Sequence, residues 1–231
     1  MPYFELSKGV SKFPPAHFAD LDGLLAVGGE MSDDLLLAAY KNGIYYWHHP
    51  MKHIRWWSPD PRIVLYPKHM DPPESIRESG FTTTVNTDFE GLLRCCQKQY
   101  NKTEAMTPSW LSERMFRIFT GLFKKGFIHA QEVWKEDLLV GGLFGVRLGN
   151  LFFGEYAVEK MPGAATFAIL KAGGALDHEG VCLMDMQKET SRSEALEYDT
   201  LSRVAFVDLC KEATAPRNSK TKPLGPVLKH I

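Results

Sequence analysis

The 231-residue sequence predicts an α+β fold: a small N-terminal α/β domain over residues 1–100, then a larger domain over 101–214 whose antiparallel sheet is flanked by helices. Three observations predict it. Apolar runs at 128–134, 138–148 and 151–153 are separated by the charged turn Lys135-Glu136-Asp137 and by Gly149-Asn150, the pattern of three consecutive antiparallel strands. Ahead of them Leu111, Met115, Ile118, Phe119 and Leu122 recur at helical spacing, and behind them 164–178 has helical composition. A hydrophobic content of 44% is ample for a core.

Taken in order, the first predicted element is a short helix at 33–42, started by Ser32 with Asp33 and Asp34 in its first turn and ended by Gly43. Ile63-Val64-Leu65-Tyr66 reads as a strand. Asp71-Pro72-Pro73 restarts the chain as a helix up to Gly80, followed by a strand at 81–85 and a helix at 88–99. The softest domain boundary falls between Asn101 and Pro108. Thr107-Pro108 is an N-cap with proline at the first helical position, opening the helix that runs to Gly126. After the three strands and the helix at 164–178 come a strand at 181–187 and a helix at 203–212. The basic segment 215–231, with Arg217, Lys220, Lys222 and Lys229, is expected to be a flexible tail whose charge helps hold RNA.

Charge and cysteine usage exclude several classes. A formal net charge of -1 leaves no global basic field, so a nucleic-acid partner must meet a local patch. Residues 41–69 supply one: Lys41, Lys52, Arg55, Arg62 and Lys68 against the single acid Asp60. The same residues also read as an ordinary solvated surface. The four cysteines, two of them the adjacent Cys95-Cys96, form no C-x-x-C, which argues against a disulfide framework or a zinc site. His48-His49 and His53 lack a defined ligand geometry, so no metal is expected. No apolar run approaches a membrane span and the N-terminus lacks a leader pattern, so a cytoplasmic protein is expected.

The run Trp56-Trp57-Ser58-Pro59-Asp60-Pro61-Arg62 is a rigid corner of two tryptophans and two prolines, of a kind that presents something. Upstream lie Phe13-Pro14-Pro15, the block Gly23 to Ser32, Leu36 to Tyr40, and Gly43-Ile44-Tyr45-Tyr46-Trp47. Downstream lie Glu132-Val133-Trp134, the block Leu139 to Gly145, Phe153-Gly154-Glu155 and Asp185-Met186-Gln187. In this order and spacing the blocks resemble the leucyl/phenylalanyl-tRNA-protein transferases over roughly residues 13 to 210. The resemblance implies a GNAT-like catalytic half, no cofactor, and aminoacyl-tRNA and an acceptor protein N-terminus as partners of a monomer, as in N-degron tagging.

It also assigns residues. Asp185 and Gln187 stand two apart in a predicted strand, so their side chains share one face while Met184 and Met186 take the other. By resemblance they form a relay that accepts a proton from the attacking amine and holds the carbonyl, while Glu155, next to the permissive Gly154, binds the donor's amino end. As a bare pattern all three also fit a structural role. Trp47 and Trp110 are assigned to stacking on the terminal adenosine, with core packing as the other reading. Arg62 is counted as an RNA contact or as a partner of Asp60. Gly141, Gly142 and Gly145 do not form a phosphate loop and instead suit close approach of a ligand or backbone.

The sequence departs from the family at the donor site. Tyr156-Ala157-Val158-Glu159 replaces the usual Ser-Met-Phe-Ser, so the cup for the donor side chain is expected to be wider or filled by Tyr156. Losing two large walls corresponds to roughly a few kcal/mol of discrimination. Ala164-Ala165-Thr166 lacks the usual lysine, Arg192-Ser193 replaces His-Leu, Glu197-Tyr198 replaces Gly-Ala, and Tyr46 replaces a proline. Besides transfer of Leu, Phe or Met, these changes leave open another acyl donor or acceptor amine, or a homologue that binds RNA or a protein N-terminus without catalysis.

Overall fold

The computed structural model describes residues 3–10, 12–47, 53–67, 73–103 (backbone alone for 99–103), 111–187, 196 and 198–215. Trp110, Lys52, Lys68, His48-His49, Thr107-Pro108, Arg192-Ser193, Glu197 and the tail from Pro216 lie outside them.

Two sheets form. The first joins β1 (Phe4–Leu6), β2 (Leu24–Gly28), β3 (Tyr45–Trp47) and β4 (Arg55–Trp57) in the order β1-β2-β4-β3, with only β1 and β2 parallel. Aromatic and aliphatic runs favour these strands, though each is only three to five residues long. Between β2 and β3 lies α1 (Asp33–Lys41), capped as its sequence predicts: Leu35 N–H donates to Ser32 Oγ at 3.2 Å, and Gly43 takes φ 69 just past the end.

The second sheet has the order β11-β5-β10-β9-β8-β7-β6. Its strands are β5 (Arg62–Leu65), β6 (Thr82–Val85), β7 (Ile128–Lys135), β8 (Leu138–Leu148), β9 (Leu151–Glu159), β10 (Leu183–Gln187) and β11 (Asp199–Leu201). The expected meander β7-β8-β9 is antiparallel throughout, whereas β9 and β10 are parallel. A parallel pair needs a crossover, and α5 (Ala164–His178) supplies it. The other helices are α2 (Glu74–Arg77), α3 (Phe89–Thr103), α4 (Glu113–Lys124) and α6 (Arg203–Thr214).

Several expectations shift. The helix expected up to Gly80 is one turn, α2, and the helix expected to be capped by Thr107 is capped by Ser112, whose hydroxyl accepts from Met115 N–H at 3.4 Å. The sheets change over at the proline corner between Trp57 and Arg62, not near residue 101: β5 and β6 belong to the second sheet. Strand propensity near residue 82 says nothing about which sheet the strand joins.

One face of the second sheet packs Leu143, Phe152 and Met184 against Phe167, Ala168 and Leu176 of α5. The other packs Phe144, Val146 and Phe153 against Leu92 of α3, Phe119 of α4 and Phe206 of α6, in one core with Tyr40 and Trp56 of the first unit. Tyr40 stacks on Phe153 at 4.8 Å. The strand glycines serve this packing. A Cβ at Gly142 would lie 2.5 Å from Leu92, at Gly141 2.7 Å from Ala164, and at Gly145 2.2 Å from Phe153 O, so they admit helix side chains and the neighbouring backbone, as the backbone alternative expected. Among the described residues no helix is long and apolar enough to cross a membrane.

Candidate functional site

The site forms where the parallel strands β9 and β10 part. Their register runs Leu183 with Leu151, Met184 with Phe152 and Asp185 with Phe153, and stops there. Gly154 follows on β9. A Cβ on it would sit 3.2 Å from Asp185 O and 3.5 Å from Met186 Sδ, so the small residue lets the strands lie close at the point of divergence.

Beyond Asp185 the strand alternation fails. The β10 register slips between Asp185 and Gln187, and Gln187 adopts φ 68, a left-handed conformation rare for a residue with a side chain. Two hydrogen bonds hold it there: its N–H donates to Asp185 Oδ1 at 2.8 Å, and its Nε2 donates to Gly154 O at 3.0 Å. Asp185 and Gln187 are therefore joined directly by an Asx-type turn, while Met184 and Met186 both pack on the α5 side.

Arg62 completes it. Its Nε donates to Asp185 Oδ1 and its Nη2 to Oδ2, both at 2.7 Å, and Arg62 and Asp185 are each 1% exposed. The guanidinium lies between the Tyr45 ring, 4.8 Å from its centroid, and the Phe206 ring at 4.6 Å. Burial presses Arg62 toward losing its proton, but the Asp185 carboxylate outweighs that and holds its pKa above the usual value. The neighbouring Tyr45 phenol and Cys210 thiol are each pushed up to about 12, chiefly by burial. Arg62 and Asp185 thus cancel among neutral neighbours. Arg62 is neither an RNA contact nor the partner of Asp60, whose Oδ1 accepts from Arg203 N–H at 3.2 Å. What the rigid corner presents is an inward-pointing cation. It is kept rigid by the Arg203 side chain, which donates to Ser58 O, Ala19 O and Asp20 O.

Glu155 is the uncompensated charge. The residue as a whole is partly open, but Oε1 is closed off from solvent and has no hydrogen-bond partner among the described residues, and Oε2 accepts from Tyr46 Oη at 3.4 Å. Burial, with the nearby Asp185 charge second, pushes its carboxyl well above the usual carboxylate range. The sign follows. A carboxyl whose pKa is raised by folding favours the folded state below its unfolded value, and that benefit is lost as pH rises through the folded value. Glu155→Gln is therefore expected to stabilise the free protein by about 1 kcal/mol at alkaline pH, the scale of an unsatisfied buried acceptor. The gain should vanish toward pH 4 in urea titrations; equal stability of the two proteins at every pH would refute it.

The structure thus brings together Glu155, Gly154, Asp185 and Gln187, and adds Arg62 and Tyr46. Sequence reading missed the inward role of Arg62; its one signal was a charge opening the apolar strand Arg62–Leu65. The other expected residues have surroundings of their own. Trp47 is 56% exposed at the end of β3, in register with the exposed Arg55, and Lys41 is exposed at the end of α1. Trp56 is a core residue whose Nε1 donates to Gly28 O at 3.0 Å. Tyr156 packs toward the core shared by the two sheets, where Val158 is fully buried, while Ala157 packs toward α5. Strand alternation puts Ala157 on the other face from its neighbours, so 156–158 do not form one wall of a cup. Among the described residues no three metal-binding side chains cluster.

Comparison with known proteins gives the same division of the chain. The model of the leucyl/phenylalanyl-tRNA protein transferase N-terminal domain matches residues 29–60, and that of leucyl/phenylalanyl-tRNA protein transferase matches residues 64–211, meeting at the proline corner. A leucyl/phenylalanyl-tRNA–protein transferase of Hydrogenovibrio crunogenus is 38% identical over 219 residues, covering 92% of this chain and 84% of the relative. One from Thiobacillus denitrificans is 36% identical over 202 residues, covering 85% and 87%. Among solved structures, a GCN5-related N-acetyltransferase from Kribbella flavida aligns with a TM-score of 0.43 at 11% identity over 77% of this chain and 63% of that one, a likeness on which nothing here depends. With both family models in sequence order and full-length relatives above a third identity, the chain belongs to the leucyl/phenylalanyl-tRNA protein transferase family.

Proposed function

We propose that this protein transfers an aminoacyl residue, Leu, Phe or Met, from the 3′ end of aminoacyl-tRNA to the α-amine of a protein N-terminus. The observation that carries the reading is the Glu155 carboxylate, whose Oε1 is closed off from solvent and lacks a partner among the described residues, beside a neutralised Arg62–Asp185 pair. A buried anion in that state suits a cationic donor, and the α-ammonium of an esterified amino acid is one. With Glu155 holding that end, the ester carbonyl lies toward Gln187. The acceptor amine, with an ordinary pKa of about 7.7–8.0, attacks as the free base. The bond from its nitrogen to the carbonyl carbon forms and the bond to the ribose 3′ oxygen breaks. The amine loses one proton and the leaving oxygen gains one, with Gln187 holding the carbonyl in line and the buried Arg62–Asp185 pair holding Gln187. The ester is already activated, so alignment supplies much of the rate, on the order of 7–11 kcal/mol in well-oriented systems.

All these groups come from one chain, which is consistent with a monomer. Trp47 and Arg55 offer an aromatic face and a cation side by side for the terminal nucleotide and its phosphate, with Lys41 as a further cation. A donor carried on a phosphorylated cofactor is disfavoured, because Glu159 Oε2 accepts from Ala165 N–H at 3.3 Å and so puts a carboxylate at the start of α5, where a phosphate would lie.

The test is incubation with leucyl-, phenylalanyl- and methionyl-tRNA and a peptide beginning with Arg. Addition of one residue, greatly reduced in Glu155→Gln through a raised KM for the donor, is expected. Salt-sensitive tRNA binding with no transfer from any donor would replace the enzyme with a binding homologue.

A further inference from the structure

We propose that Tyr46 is a positioning residue for the donor site, its hydroxyl orienting the Glu155 carboxylate and favouring its charged form. The inference rests on the aminoacyl-transfer reading. Tyr46 is 6% exposed on β3, and its Oη lies 3.4 Å from Glu155 Oε2, across 109 residues of sequence. Burial pushes the phenol well above its usual pKa, so at any working pH it serves only as a neutral donor. That donor fixes one carboxylate oxygen and leaves Oε1 for the ligand. Without it, the carboxylate would sit enclosed with no hydrogen bond at all among the described residues, and would take up a proton instead of a cation.

Among the described residues the charged and titratable groups around this pair are few. From β10 comes Asp185, which raises the Glu155 pKa and is itself paired with Arg62 of β5. Tyr45 of β3 and Cys210 of α6 border that ion pair and stay neutral. Burial and Asp185 disfavour the charged form, and among the described residues Tyr46 is the one whose side chain donates to the Glu155 carboxylate. A residue without a side-chain donor here would leave Glu155 Oε2 unbonded, so this protein should bind its donor at lower pH than such a variant would.

Tyr46→Phe removes the hydroxyl and keeps the ring. Two readouts are compared with the unaltered protein: the pH dependence of kcat/KM for leucyl-tRNA with an Arg-initial peptide, and the titration of the Glu155 side-chain carbon by 13C NMR, assigned by its loss in Glu155→Gln. The expected result is a rise of both midpoints by about one pH unit, tenfold in the proton equilibrium. The KM for leucyl-tRNA should rise several-fold on the acid side, with kcat changing less and the deficit narrowing as pH increases. Coincident titrations in the two folded proteins would overturn the inference and leave Tyr46 a packing residue. If the unaltered protein transfers nothing, the transfer reading fails, and the carbon titration still decides whether Tyr46 controls Glu155.

Discussion

Arg62→Leu is expected to lower folding stability by about 3–5 kcal/mol and to abolish transfer, because it leaves the Asp185 carboxylate buried without a counter-ion. The pair is bidentate at 2.7 Å on both arms, almost wholly enclosed, and packed between two aromatic rings, so neither solvent nor a nearby lysine can substitute. Breaking one side of such a pair costs far more than removing both. The double variant Arg62→Leu with Asp185→Leu should therefore recover most of the lost stability while remaining inactive, since Gln187 N–H has lost its acceptor. Urea denaturation of the four proteins in a cycle measures the coupling. A single Arg62→Leu variant with the unaltered urea midpoint would show that the pair does not exist in solution.

Gln187→Ala is expected to reduce kcat about 10²-fold with little change in the KM for leucyl-tRNA, the scale of a misplaced reacting group. The side-chain amide ties β10 to Gly154 O, the residue before Glu155, so it sets the distance between donor-binding and relay groups. Its backbone conformation separates this role from mere structure. At φ 68 a side chain is strained by about 1 kcal/mol or more, and glycine is not. Gln187→Gly should be about 1 kcal/mol more stable than Gln187→Ala yet equally slow. Recovery of turnover in the glycine variant would assign the loss in the alanine variant to backbone distortion and remove Gln187 from the chemistry.

Much of this protein was legible from its residues. Ser32 and Gly43 bracket α1 because capping and left-handed termination are local, and Gly149-Asn150 turns β8 into β9 for the same reason. The expected limits of α5, 164–178, coincide with those observed. Short strands were less readable. The segments Leu24–Gly28 and Arg55–Trp57 lack a two-residue period over enough positions to stand out, and it is pairing with each other and with β1 and β3 that makes them strands. Thr107 is as good a cap as Ser112 in composition, and nothing in the local pattern chooses between them.

The sequence by itself determined the class of fold, the family, and four of the residues that meet at the site, because ordered blocks of residues and local periodicity survive without coordinates. Only the tertiary structure decided that Arg62 faces inward to Asp185, 123 residues away, that Tyr46 reaches Glu155, and that Gln187 leaves the strand in a left-handed turn. The reason is physical. A charged side chain has the same local sequence whether it faces water or a buried partner, and the choice is made by the insertion of β5 between β10 and β11, a pairing that neighbouring residues do not encode.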